Sequence, residues 1–165
     1  SKNRTGFKNM YPMLEKIAEK SGASKIDGKW ILSKEIRVKR AKETISILPY
    51  IFGGAMQTSH LTDVSPKLLI LTIIDGGNHI FMNVVKEVDG DAVLSVKAIE
   101  DVFVDYKEVL LTDIYIGKRE GFMDEIDKEL KDLVEKYKSE DRKFVYGSIN
   151  EIVEKFVDKI PEHVG

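Results

Sequence analysis

The sequence predicts a mixed α/β (or α+β) domain in which a largely antiparallel sheet of four to five strands is flanked by helices. The run 68-LLILTIID-75 is apolar on both faces and rich in β-branched residues, as a central strand would be. Turn signals at 76–78 and 89–90 divide the next residues into further strand-like runs. An amphipathic stripe over 122–137 indicates a helix that returns the chain to the sheet.

The first third of the chain is predicted to be helical, with one tight turn. Apolar residues share a helical face over 8–20, and Gly22 follows them. The stretch 25-KIDGKWIL-32 places an Asp-Gly turn between apolar residues. Ser33 is a suitable N-cap for a helix over 34–47, which Pro49 ends. Residues 50–66 are expected to form a loop.

The remaining elements follow in order from the same signals. We expect a loop with Gly117 and Gly121, and then the amphipathic helix over 122–138. Ser148 and Glu151 have the spacing of a capping box for a last helix. Because a helix precedes the last strand, that strand is expected to pair parallel to its neighbour. The predicted strands are 68–75, 79–88, 91–99, 101–111 and 143–147.

Length and composition limit the classes of protein. The chain of 165 residues fits a single domain, 1–165, with an N-terminal helical extension, 1–32, and a core, 33–160. It does not begin with Met, which suggests a piece of a larger protein. It has no cysteine, which excludes disulfides and thiolate zinc sites. No apolar run approaches the ~20 residues of a membrane span, so we expect no membrane partner and a cytoplasmic location.

Charged residues in 90-GDAVLSVKAIEDVFVDYK-107 indicate a candidate metal site. Asp105 and Lys107 are two residues apart in a predicted strand and would therefore point to the same side of the sheet. Asp91 opens the preceding strand, and the register of the hairpin decides whether it reaches Asp105. Two converging carboxylates would bind Mg²⁺ or Mn²⁺. Lys107 would then position or polarise a metal-activated water.

This pattern resembles the PD-(D/E)xK nuclease superfamily, with Gly90-Asp91 and Asp105-Tyr106-Lys107 as the matching pieces and a similar order of elements over 34–147. The resemblance implies a metal-dependent endonuclease that cuts nucleic-acid phosphodiesters, with Asp91 and Asp105 as metal ligands and Lys107 as the catalytic residue. Asp75 is a rival for the first acid. The viral cap-snatching members add an upstream histidine as a metal ligand, and His60 is the position to test for that role. Gly90 stands where the family usually has proline.

Other interpretations remain open. The basic run 34-KEIRVKRAKE-43 would either contact phosphates or form a solvated helix face supported by pairs such as Lys39–Glu43. Nucleic acid is the expected partner, with DNA and RNA not distinguished, and other protein domains are candidates. The alternative functions are a non-catalytic binding or accessory domain, marked by an exposed apolar patch, and a metal-independent ribonuclease of the barnase and RelE kind. The residues available to the latter are His79, Lys86, Lys97 and Tyr106.

Overall fold

The structure is a computed structural model that describes residues 12–51 and 64–164. Its helices, in chain order, are α1 (Pro12–Lys20), α2 (Lys34–Ser46), α3 (Val96–Tyr106), α4 (Asp127–Lys136), α5 (Ile149–Val157) and α6 (Ile160–His163). Its strands are β1 (Ala23–Ile26), β2 (Lys29–Leu32), β3 (Leu68–Leu71), β4 (Val85–Val88), β5 (Asp91–Leu94), β6 (Ile114–Lys118) and β7 (Phe144–Ser148). Short 3₁₀ turns cover 48–50, 107–109 and 124–126.

A three-stranded sheet in the order β3-β6-β7 organises the domain. Strand β3 runs antiparallel to β6, with Leu68 opposite Lys118. Strand β7 runs parallel to β6, with Lys118 opposite Ser148. Helix α4 makes the crossover between these two parallel strands, as such a connection requires. The prediction that the last strand pairs parallel to its neighbour is therefore confirmed.

Alternation along β6 divides the core between the two faces of the sheet. Ile114 and Ile116 belong to a cluster with α3 and α4 that includes Phe103, Leu130 and Phe144. Tyr115 faces the other way, into a cluster formed with α5 and α6. Gly117 lies on that second face, where an added Cβ would lie 3.0 Å from the backbone of Ile149. Glycine at this position therefore lets α5 pack closely on the central strand.

Two hairpins stand outside this sheet. Strands β1 and β2 pair around Asp27-Gly28, and β4 and β5 pair around Asp89-Gly90. Both residues of each turn have positive φ, which Asp-Gly sequences accommodate well. Both Asp-Gly turns are thus where the sequence predicts them.

The structure bears out the fold class but not the size of the sheet. Helices and strands are mixed, whereas the described strands form one three-stranded and two two-stranded sheets instead of one sheet of four to five strands. The predicted strand 101–111 is wrong, because α3 and the following 3₁₀ turn occupy most of it. Ser95 caps α3 by accepting a hydrogen bond from the Ala98 N–H. The buried residues Val96, Ile99 and Phe103 have helical rather than alternating spacing.

The loop predicted around residue 117 is also wrong, because it contains the central strand β6. Gly117 and the charges of Lys118 and Arg119 resemble a turn in the sequence. In the structure the glycine makes room for α5, and both charged side chains have acceptors. By contrast, α2, α4, β7 and the capping box of Ser148 and Glu151 lie close to their predicted positions. Part of the predicted helix over 8–20 lies outside the described residues.

Glu100 joins α3 to α4 and gives a prediction for stability at low pH. Its carboxylate accepts hydrogen bonds from Lys136 Nζ at 2.5 Å and from the Tyr137 hydroxyl at 2.8 Å. These bonds lower the pKa of Glu100 to about 2. A lowered pKa stabilises the folded state above the ordinary value near 4.5, and this contribution is lost as the pH falls from there towards 2.

We therefore expect Glu100→Gln to lower the free energy of unfolding by about 1–2 kcal/mol at pH 7. Urea denaturation of the variant and the wild type at several pH values measures the difference. The difference between the two variants should shrink as the pH falls below 4.5 and vanish near pH 2, where the carboxylate is protonated in the folded chain as well. Glu129→Gln, on the exposed side of α4, is the control and should leave both curves nearly unchanged. A Glu100→Gln effect that is equal at pH 7 and pH 3 would contradict this explanation.

Candidate functional site

The residues predicted to bind a metal do not share one strand pair. Asp91 lies beside the turn of the β4–β5 hairpin, opposite Val88. Asp105 lies near the end of α3, and Lys107 begins the 3₁₀ turn that follows. The acid-x-Lys pattern is therefore helical, and the prediction that Asp105 and Lys107 point to one side of a strand is wrong. His60 lies outside the described residues.

Asp75, the rival for the first acid, is the predicted site residue that lies beside the Lys107 turn. Its backbone N–H donates to the Val109 carbonyl at 2.8 Å. Lys107 itself donates to Glu140 Oε2 at 2.5 Å, and this hydrogen bond raises the pKa of Lys107. The lysine is thus held as an exposed cation in an ion pair.

The expected Mg²⁺ or Mn²⁺ site involves Asp75, Asp91, Asp105 and His60, of which the structure describes the three aspartates. Within 12–51 and 64–164, no three His, Asp or Glu side chains are grouped so that they could hold one ion. The side chains of Asp75, Asp91 and Asp105 share no hydrogen bond or ion pair in that part of the chain. Metal binding by these residues therefore stays a prediction.

The carboxyl end of the central strand carries a buried cation. Lys118 is the last residue of β6, and its side chain is only 3% exposed. Its ammonium donates to the backbone carbonyls of Arg119 and Phe122, at 3.2 and 2.8 Å, and to Asp124 Oδ1 at 2.5 Å. Asp127 Oδ1 is a fourth acceptor at 3.1 Å. These contacts fix the loop between β6 and α4 around one charge.

Neighbouring groups complete this cluster. The Tyr146 hydroxyl donates to Asp127 Oδ1 at 2.7 Å, and this bond, together with Lys118, lowers the pKa of Asp127. Burial and the same hydrogen bond raise the pKa of Tyr146. Burial by itself would lower the pKa of Lys118, but its bonds to Asp124 and Asp127 outweigh burial and raise it. All three protons of the ammonium have acceptors within the protein, so this cluster organises the loop.

Charge is distributed unevenly between the two described segments. Residues 12–51 contain nine Lys and Arg but only five Asp and Glu, whereas residues 64–164 contain fourteen basic and twenty-two acidic residues. The formal net charge of −2 hides this division. A basic segment within an acidic chain is a recognised signal of contact with a polyanion. This signal was available in the sequence, and the whole-chain average concealed it.

Helix α2 carries much of this basic charge along a groove. It begins at the Ser33 cap, whose hydroxyl accepts from the Ile36 N–H, and it packs through Ala41 and Ile45 against the α5 and α6 cluster. Between α2 and Pro161 of α6 lies an open groove of about 500 Å³. Its lining comprises Lys34, Glu35, Val38, Lys39, Lys42, Glu43 and Pro161.

The lining residues of α2 fall into two rows of helical spacing. Lys34, Val38 and Lys42 are four residues apart and so lie on one side of the helix, and Glu35, Lys39 and Glu43 form the adjacent row. Lys39 and Glu43 are 3.8 Å apart, with side chains that are 74% and 64% exposed. Such an exposed pair contributes little to stability. The Lys39–Glu43 pair that the sequence predicts is therefore present, but the Lys39 ammonium stays accessible to a competing anion.

Lys34 and Lys42 are the other two lysines that line the groove. Neither ammonium forms an ion pair with the residues that the structure describes. They are eight residues apart, or about 12 Å along the helix axis. One strand of a DNA duplex carries a phosphate about every 3.4 Å of its axis, so this distance spans roughly three to four phosphates. The nearest acid at the start of the helix, Glu35, is engaged by its own backbone N–H and by Ser33, which lower its pKa.

No family model matches the chain, and no curated protein and no solved structure shows significant similarity to it. No described helix is long and apolar enough to cross a membrane.

Proposed function

We propose that the protein binds nucleic acid through the cationic groove between α2 and α6. The observation that carries this proposal is the concentration of positive charge in residues 12–51, with Lys34, Lys39 and Lys42 along one groove. Contacts between lysine ammonium groups and phosphates supply sequence-independent affinity, because they release counterions from the polyanion. The acidic remainder of the chain repels the backbone and so directs it to this surface.

The groove suits a phosphodiester chain for a further reason. Its lining includes Val38 and Pro161 beside the lysines, and lysine stems can cover apolar surface while their charged ends stay in water. Sugars and unpaired bases present apolar surface that can lie on such a lining while the phosphates meet the ammonium groups. The groove is lined by side chains and is open to solvent, so binding needs no rearrangement of the sheet.

Fluorescence anisotropy with labelled single-stranded and duplex oligonucleotides tests the proposal. We expect binding that weakens with salt, with a slope of log K against log salt of about −2 to −3 for the three lysines. EDTA should leave the affinity unchanged within about twofold, because the contacts are made by ammonium groups and not by a metal. Absence of binding to both oligonucleotides at about 50 mM salt would refute the proposal.

Metal-dependent cleavage, which the resemblance to the PD-(D/E)xK superfamily implies, is independent of groove binding and stays a prediction. Its test is a melting curve with and without Mn²⁺, together with incubation of the labelled strands with Mn²⁺. A rise in the melting midpoint and cut products would support it. The groove proposal concerns binding alone and predicts neither result.

A further inference from the structure

A small polar pocket lies at the amino ends of β6 and β7 and shares no lining residue with the α2–α6 groove. Its volume is about 230 Å³, and Asp113, Tyr115 and Lys143 contribute to its lining. Asp113 and Lys143 immediately precede the paired residues Ile114 and Phe144. Since side chains alternate along strands, Asp113, Tyr115 and Lys143 lie on the face of the sheet that α5 and α6 cover.

The Tyr115 hydroxyl is a polar group of this pocket that lacks a protein partner. The residue is 3% exposed, and its ring packs edge to face on Phe156, with the ring centroids 5.5 Å apart. The hydroxyl makes no hydrogen bond with the residues that the structure describes. Burial and the carboxylates of Asp113 and Glu162 raise the pKa of Tyr115, so its hydroxyl stays protonated and faces negative charge. Because buried hydroxyls need a partner, this one is available to a molecule in the pocket.

Charged residues of both signs line the pocket, and only some of them are paired. Glu140 accepts from Lys107 at 2.5 Å, and Glu162 lies 3.4 Å from the Lys159 ammonium. Four further charged residues of the lining form no ion pair within 12–51 and 64–164. They are Asp113, Asp141, Arg142 and Lys143. Two carboxylates and two cations therefore remain without a partner of opposite charge.

Backbone contacts hold two of these charged groups in place. The Lys143 N–H donates to Asp113 Oδ1 at 3.1 Å, which fixes the carboxylate and leaves Oδ2 for another donor. Arg142 Nε donates to the Leu110 carbonyl at 3.2 Å. Groups that the protein has already oriented lose less conformational entropy when a ligand binds.

We propose that this pocket binds a free amino acid in its zwitterionic form. The ligand ammonium lies beside the Tyr115 hydroxyl and the Asp113 carboxylate, and the ligand carboxylate is held by Arg142 and Lys143. Hydrogen bonds between oppositely charged groups are the strong ones, and a zwitterion forms them with both kinds of unpaired residue. The volume is below that of pockets for drug-sized molecules, so it suits a ligand of this size.

Other occupants fit the pocket less well. In the part of the chain that the structure describes, no three acidic or histidine side chains are grouped to hold a metal ion. A phosphate would meet the carboxylates of Asp113 and Glu162 beside the Tyr115 hydroxyl, and like charges repel. A simple amine would leave Arg142 and Lys143 without a partner.

Melting curves of the wild type with each standard amino acid at about 10 mM test the proposal. We expect at least one amino acid to raise the melting midpoint, because it binds the folded chain and not the unfolded one. Calorimetric titration then compares that amino acid with the amine that lacks its carboxylate and with the acid that lacks its ammonium. Each of these two analogues should bind about tenfold more weakly or worse, because one set of charged partners is lost.

Two conservative variants test the assigned contacts. Tyr115→Phe removes a hydroxyl without a described protein partner, so the ligand-free variant should melt at the wild-type temperature. Asp113→Asn removes a charge and keeps an acceptor for the Lys143 N–H. Both variants should bind the amino acid about tenfold more weakly or worse. Tyr50→Phe, at an exposed tyrosine outside the pocket, is the matched control and should bind like the wild type.

Three results would overturn the proposal. The first is a wild type whose melting midpoint no amino acid raises, which would mean that water alone fills the pocket. The second is an amine or acid analogue that binds as tightly as the amino acid, which would mean that the pocket recognises a single charge. The third is amino-acid binding at wild-type affinity by folded Tyr115→Phe and Asp113→Asn, which would place the ligand elsewhere.

Discussion

Replacing Lys118 by methionine is expected to lower the free energy of unfolding by about 2–4 kcal/mol. The side chain is almost completely buried, and its ammonium serves two backbone carbonyls and two carboxylates. Methionine fills a similar volume but donates no hydrogen bond. The carbonyl of Phe122 and the carboxylate of Asp127 would lose the partner that offsets their desolvation. Asp124 is 52% exposed, so water can take the place of the Lys118 ammonium as its hydrogen-bond donor.

Thermal and urea unfolding of Lys118→Met measure this effect. A change of this size lowers the melting midpoint of a domain of this length by roughly 5–15 °C. Lys128→Met removes an exposed lysine of the adjacent helix α4 and should change the free energy by less than about 0.5 kcal/mol. Equal stability of the two variants would show that the Lys118 contacts do not hold the β6–α4 loop.

The sequence predicts the elements that carry their own local signals. Helix α2 has the Ser33 cap, the β1–β2 hairpin has Asp27-Gly28, and α5 has the reciprocal bonds of Ser148 and Glu151. These signals act over a few residues, so they do not depend on the rest of the fold.

Two of the wrong predictions occur where tertiary packing outweighs local preference. Helix α3 is rich in Val, Ile and Phe, which favour strands, but its buried face and the Ser95 cap make it helical. Strand β6 contains Gly117 and ends in Lys118, which favour a loop, but it lies between β3 and β7 and its side chains find partners there. Neither the packing against α5 nor the acceptors around Lys118 can be read from neighbouring residues.

The candidate metal site was argued from two predicted strands, and one of them is wrong for the same reason. Asp91, Asp105 and Lys107 were linked through two strands, and the second of these is helical. The groove between α2 and α6 could not be predicted from the sequence either, because Pro161 lies beside Lys34 and Lys42 only when α6 packs on α2. The basic character of α2, by contrast, was visible in the run from Lys34 to Glu43.

The largest expected effect on binding comes from removing Lys34 and Lys42, the two lysines that share a row of α2 with Val38. The double variant Lys34→Ala/Lys42→Ala should weaken binding to an oligonucleotide by roughly 10- to 100-fold at about 50 mM salt, because two phosphate contacts are lost. The loss should be similar for different base sequences, since phosphate contacts carry no sequence information. Alanine favours the helix, so α2 should persist.

The matched control removes two exposed lysines from the acidic segment. In Lys86→Ala/Lys128→Ala the net charge changes by the same amount, but neither residue lines the groove. We expect its affinity to fall by less than about threefold, through the long-range field alone. Comparable losses in both double variants would indicate attraction by total charge and not by the groove.

The salt dependence of binding by these two double variants tests the central claim most directly. If Lys34 and Lys42 contact phosphates, the slope of log K against log salt should decrease in magnitude by about two in Lys34→Ala/Lys42→Ala and stay at the wild-type value in Lys86→Ala/Lys128→Ala. An unchanged slope in Lys34→Ala/Lys42→Ala would contradict the proposal that the α2–α6 groove holds the phosphodiester backbone.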